Sequence, residues 1–274
     1  MSKRETPAPM SETALLSLSA IVTLVPAALL PLRRDHGRDF TFWALLAVAV
    51  AGPLSSVLAS LGGIWRTDLS MALWVTVAAS MALFAATAAV SREAWRLTPL
   101  VCGYMVCLAV LATVWGHAPV KPLGNPPGGW IAVHIVVSVA TYALVTVAAV
   151  AALAAFMQER ALKLKRPTTL TRLLPSVADC EELLVRLLVL GEIVLAIGLA
   201  TGMALQLKET GALLKFDHKT VLTVAAFAVI GGLLAAHFTS GLRGRKAARI
   251  VLLAYLLLTL GYPGVKFVTD VLMA

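Results

Sequence analysis

Few side chains in this sequence have the chemistry to bind an ion or move a proton at membrane depth, and its five histidines lead them. His134 stands in the run Ala132-Val133-His134-Ile135-Val136-Val137, and His237 closes the run Leu233-Leu234-Ala235-Ala236-His237. A neutral imidazole within an apolar helix is a good axial ligand, so both are candidates for holding the iron of haem b. The plain alternative is a polar residue placed where a helix meets the interface. His218 heads another run in Lys215-Phe216-Asp217-His218-Lys219-Thr220, where it is a third candidate ligand. There Asp217 and Thr220 read equally well as a helix cap, and His218 and Lys219 as a solvated helix start.

Glu192 and Arg186 fall inside one apolar run, six residues apart and therefore roughly 120° from one another around a helix. They are not an obvious pair. Arg186 can snorkel towards a surface, whereas Glu192 is deeper and needs a neighbouring helix or a proton or ion path to account for it. Cys102, Cys107 and Cys180 form no C-x-x-C, no C-x-x-C-H and no zinc spacing. Paired acids, a nucleophile with a base and a phosphate-cradling glycine loop are also missing, so no catalysis of its own is expected.

These residues are carried by an unusually apolar chain, with 59% hydrophobic and 14% charged residues among 274 and a mean hydropathy of +0.89. A spanning helix needs about 20 apolar residues. Segments of that length lie near 12–32, 41–61, 69–90, 97–115, 131–156, 183–205, 221–238 and 247–271. The fold expected is an all-α polytopic transmembrane bundle of about eight spans in one membrane domain. Its parts are residues 1–130, with four spans and an external Pro/Gly loop from Gly116 to Trp130, and residues 131–274, with the other four.

Lys and Arg concentrate on one side. The odd-numbered loops carry 14 of them, Arg33, Arg34, Arg38, Arg92, Arg96, Arg160, Lys163, Lys165, Arg166, Arg172, Arg243, Arg245, Lys246 and Arg249, and the other side eight. Retention of positive charge in the cytoplasm then puts both termini on the non-cytoplasmic side. This sidedness also explains the net charge of +9 without nucleic acid as a partner. It places His117, His134 and His218 outside, and His36 and His237 inside. Because His237 lies 16 residues after Val221, about 24 Å of helix, it cannot share an iron with His134. In the fifth loop, Gln158 to Glu182, a short surface helix is expected, with Ser176 or Asp179 capping the span that follows.

The second half, residues 131–271, resembles the cytochrome c assembly membrane family, the CcsA/CcmC group, and within it the HemX/YpjD-like branch. Three stretches carry the likeness. Val133-His134-Ile135 to Tyr142, running on to Gln158-Glu159-Arg160-Ala161-Leu162-Lys163, is similar to the family's histidine-bearing helix and its cytoplasmic exit. Phe216-Asp217-His218-Lys219-Thr220 stands where the family has a tryptophan-rich segment. His237-Phe238-Thr239-Ser240-Gly241-Leu242-Arg243-Gly244-Arg245-Lys246-Ala247-Ala248 resembles its basic turn.

The resemblance implies a haem-handling or accessory protein of cytochrome c biogenesis in the bacterial inner membrane, working with a partner membrane protein of that assembly system. His134 would be the first external haem ligand and His237 the membrane histidine. Of the tryptophan-rich segment only Asp217, Lys219 and Thr220 are kept, and Leu260 to Phe267 has no second external histidine. A complete cytochrome c synthetase site is therefore not expected. The alternatives are a regulatory or scaffold membrane protein, for tetrapyrrole synthesis or another complex, without haem, and a small-solute transporter using Glu192.

Overall fold

A computed structural model describes residues 12–33, 37–61, 68–117, 128–211 and 217–272. His36, the ring of His117, Phe216 and residues 118–127 of the Pro/Gly segment lie outside this description. Among the described residues the chain is helical throughout, with α1 (Glu12–Arg33), α2 (Phe40–Leu61), α3 (Leu69–Val90), α4 (Thr98–Val114), α5 (Gly129–Leu164), the short α6 (Thr169–Leu173), α7 (Val177–Thr210), α8 (His218–Ser240) and α9 (Gly244–Thr259). Among the described residues seven helices are long and apolar enough to cross a bilayer, and α1 adds a shorter apolar stretch, Leu15–Leu29. The protein is a polytopic helical membrane protein, in contact with lipid.

Two helices outrun their expected spans. α5 has 36 residues and α7 has 34, about 54 Å and 51 Å, against a hydrocarbon core about 30 Å thick. The apolar run stops near Phe156, but helix-favouring residues from Met157 to Leu164 continue α5 two turns beyond it. Gln158, on that extension, donates from Nε2 to the carbonyls of Thr171, Leu174 and Pro175 at 2.8, 3.1 and 3.0 Å. These bonds hold α6 against α5. α6 is the surface helix expected in the fifth loop, and Ser176 is the cap of α7, its hydroxyl accepting from the Asp179 N–H at 3.2 Å. Arg96 ties the same loop to the first half, donating to the carbonyls of Leu173 and Arg172.

The last helix continues past α9 through a π-wound stretch, Leu260–Gly264, to Leu272. Pro263 has no N–H to give, and the widened turn accommodates it inside the helix. Leu260 to Phe267 is thus part of the spanning helix, with Gly261 and Pro263 buried.

One core joins the halves. α5 packs chiefly on α7 and α9, and also on α3, and the buried residues of all these helices form a single cluster. Within it three phenols meet. Tyr104 and Tyr255 have their oxygens 2.5 Å apart, Tyr142 lies 3.3 Å from Tyr255, and Tyr142 lies 3.0 Å from the Thr259 hydroxyl. Thr259 donates its one proton to the Tyr255 carbonyl at 2.8 Å, so Tyr142 must be the donor to Thr259. The chain therefore runs Tyr104, Tyr255, Tyr142, Thr259 and links α4, α9 and α5.

Candidate functional site

His134 lies just over one turn into α5, where the helix crosses α7. Its Nδ1 is 3.0 Å from the Thr201 hydroxyl, and Thr201 donates its proton to the Gly198 carbonyl at 3.0 Å. Thr201 is thus an acceptor, and Nδ1 carries the proton. The lone pair is left on Nε2. Gly202 makes the fit possible, because a methyl there would stand 3.0 Å from the His134 Cε1. The ring is half-buried, seated by α7 on one side.

His237 closes α8 at the opposite end of the bundle. Its Nδ1 lies 3.1 Å from the Leu242 carbonyl, which can only accept, so here too the Nδ1 is protonated and the Nε2 lone pair is free. The surrounding corner is tightly built. Gly241 takes the left-handed conformation, φ 68°, and its N–H and that of Leu242 return to the carbonyls of His237 and Ala236. Gly244, at φ 65°, donates its N–H to Glu181 of α7 at 2.7 Å. A methyl on Gly244 would come within 2.8 Å of Glu159 on α5. Two carboxylates therefore face the N-terminus of α9, where the helix dipole favours them, and Arg245 lies over the Phe156 ring, 5.2 Å from its centre. The basic turn read from the sequence is the joint at which α5, α7, α8 and α9 are fastened.

Beside that joint lies a cleft of about 20 Å³, room for about one water. Glu181, His237 and Arg243 line it, Arg243 being exposed, and the rest of the lining is apolar, with Leu188 and Leu234 among it.

His218 is the first residue of α8 and is exposed, with no hydrogen bond to His134 among the described residues. Asp217 caps α8, accepting from the Thr220 N–H at 2.8 Å. Lys219 contributes its backbone carbonyl to the Thr223 hydroxyl. Asp217, His218, Lys219 and Thr220 therefore form a capped helix start. His134 and His237 sit at opposite ends of the bundle, as the sequence requires. Among the described residues no three of His, Cys, Asp and Glu gather as a metal site.

Two sets of residues were not singled out from sequence. The phenol chain of Tyr104, Tyr142 and Tyr255 had one visible signal, tyrosine inside apolar runs. Thr201 had none, since only the crossing of α5 and α7 brings it to His134.

A family model for cytochrome C assembly protein matches residues 40–273. The chain belongs to the cytochrome c assembly protein family. The match takes in α2, α3 and α4 as well as the second half, so the family likeness reaches well beyond the 131–271 region legible in the motifs. Among relatives, an uncharacterized 28.8 kDa protein in the nifR3-like 5′ region of Azospirillum brasilense is 55% identical over 270 residues, 96% of this chain and 100% of that one. Inner membrane protein YpjD of Escherichia coli K12 is 27% identical over 181 residues, 66% of this chain and 67% of its own. No solved structure matches.

The residues fit a haem iron in part. An imidazole that offers Nε2 while its Nδ1–H is held by an oxygen is the usual state of an axial ligand. His134 and His237 both meet this. The cleft at His237 has room for about a water and no macrocycle, whereas on the His134 face of α5 the residues one turn to either side, Trp130 and Ser138, are exposed.

Proposed function

We propose that this protein is an accessory membrane component of cytochrome c biogenesis in the bacterial inner membrane, and that it handles haem b through His134. Family membership supports the role in cytochrome c assembly, and the name of the Escherichia coli relative supports the compartment. One observation carries the choice of His134 over His237: both imidazoles hold Nδ1 against an oxygen, but His237 lines a cleft of about 20 Å³ that has no room for a macrocycle. Bound haem would supply an iron centre to be passed on, and the chain's own part is to orient the imidazole and keep its second nitrogen protonated. His237 serves first as the staple of the α8–α9 corner.

The test is an absorption spectrum of protein purified from haem-replete cells. A Soret band is expected that falls at least about fivefold in His134→Ala and changes little in His237→Gln, as removal of the single ligand requires. Colourless wild-type protein overturns the haem reading.

The basic end favours a second reading, in which the protein is a regulator or scaffold that works through a partner without haem. Arg160, Arg166, Arg243, Lys246 and Arg249 are exposed there and pair with no acid among the described residues. Crosslinking in cells to a membrane partner, lost in an Arg243→Gln, Lys246→Gln, Arg249→Gln variant of unaltered yield, would support it. Crosslinking that survives the triple variant would sink it.

A further inference from the structure

Glu192 lies 15 residues after Val177 and 18 before Thr210, so about 22 Å and 27 Å of α7 separate it from the two helix ends. Its Oε2 is buried and has no hydrogen-bond partner among the described residues. Its Oε1 points at α8, 2.9 Å from where a methyl on Gly231 would stand, so a glycine is needed where the carboxyl crosses.

No protein cation answers it. Arg186 on α7 is engaged by Glu182. There is no Lys or Arg on α5 between Trp130 and Arg160, on α8 between Lys219 and Arg243, or on the last helix between Arg249 and Lys266. Other titratable groups on the packed elements are engaged elsewhere: Glu159 pairs with Lys163, Asp179 accepts from the Ser176 hydroxyl, Glu182 pairs with Arg186, Glu181 holds Gly244, His237 holds Leu242, His134 holds Thr201, Tyr142 and Tyr255 belong to the phenol chain, and Lys266 lies over the Tyr262 ring. An unpaired carboxylate at this depth is costly, so its partner must come from outside the chain.

The cleft at the α8–α9 corner shows where it enters. Leu188, on the cleft wall, is four residues before Glu192 on α7, and Leu234, on the wall opposite, is three residues after Gly231 on α8. Residues at those spacings share a helix face one turn apart. The cleft therefore runs from Glu181, His237 and the exposed Arg243 to within one turn of the carboxyl.

We propose that Glu192 is a proton-binding site served by water through this cleft, from the His237 end of the bundle alone. In the loading step a hydronium ion that has passed from the cleft beyond Leu188 and Leu234 gives its proton to a carboxylate oxygen, leaving a carboxylic acid and a water molecule. Unloading is the reverse, and no electrons move. The inference does not depend on haem.

The test uses the full chain in phosphatidylethanolamine and phosphatidylglycerol nanodiscs, treated with dicyclohexylcarbodiimide, which adds to protonated carboxyls in apolar surroundings. One adduct is expected, mapping to α7, forming at least about tenfold faster at pH 6 than at pH 9, and missing in Glu192→Gln. No α7 adduct at any pH, an α7 adduct whose rate ignores pH, or one that persists in Glu192→Gln overturns the site. Sidedness is read from deuterium exchange of the infrared carboxyl band that Glu192→Gln removes. Leu234→Trp, or Leu234→Phe if the tryptophan variant does not fold, should slow that exchange, while Ala196→Trp, one turn beyond Glu192 on the same face of α7, should not. Equal rates in the two variants overturn one-sided access.

Discussion

At Gly244 the backbone turns left-handed while its N–H reaches Glu181 and its α-carbon faces Glu159. Neither demand tolerates a side chain. Gly244→Ala must adopt a strained backbone and push aside a carboxylate, and it is expected to lower stability by about 2 kcal/mol, seen as a lower thermal midpoint in detergent. An unchanged midpoint would mean the corner is not the fastening described above. His237 belongs to the same joint, so its replacement by Ala should loosen the turn as well as remove a ring nitrogen. For that reason His237→Gln, which keeps a hydrogen-bonding side chain, is the cleaner comparison for haem content.

At the scale of elements, the unusual feature is how far α5 and α7 extend past the apolar runs that define them. Their ends form a small cap with α6, held by Gln158 and Arg96 and started on the α7 side by Ser176. Ser176→Ala removes the cap of α7 and should cost about 1 kcal/mol. Gln158→Leu leaves three carbonyls without their shared donor, and α6 should become a site of rapid cleavage in limited proteolysis of protein in nanodiscs. If cleavage stays as slow as in the wild type, Gln158 is not what pins the loop. Helix starts were legible in advance because caps are local: Ser176 and Asp217 stand within three residues of the N–H groups they satisfy. Helix ends were not, because the residues from Met157 to Leu164 are polar enough to read as loop and yet favour helix.

Across the whole molecule, the phenol chain joins α4 of the first half to α5 and α9 of the second. Tyr255→Phe breaks it at its centre and strands the hydroxyl of Tyr104, while Tyr142 keeps its bond to Thr259. A loss of about 1–3 kcal/mol is expected, the cost of buried polar groups left unsatisfied, measurable as a lower midpoint in denaturant. Tyr262→Phe, outside the chain, should be close to neutral. Orientation is a second property at this scale. With 14 basic residues on one side and eight on the other, alkaline phosphatase fused after Ala274 should be active, and fused within the 241–243 turn inactive. The reverse pattern would turn the molecule over and put His134 and His237 on the opposite faces.

The sequence alone determined the class of molecule, because about 20 apolar residues per span leave a chain no soluble alternative. It also separated His134 from His237, since one stands early in its span and the other at the end of a span running the opposite way. The cleft, the approach of Glu192 to Gly231, the phenol chain and the tautomer of His134 depend on which faces of α4, α5, α7, α8 and α9 meet. That is set by side-chain volume at the crossings, by Gly202 under a ring and Gly231 under a carboxyl, and such crossings join residues far apart in the chain that no local pattern connects.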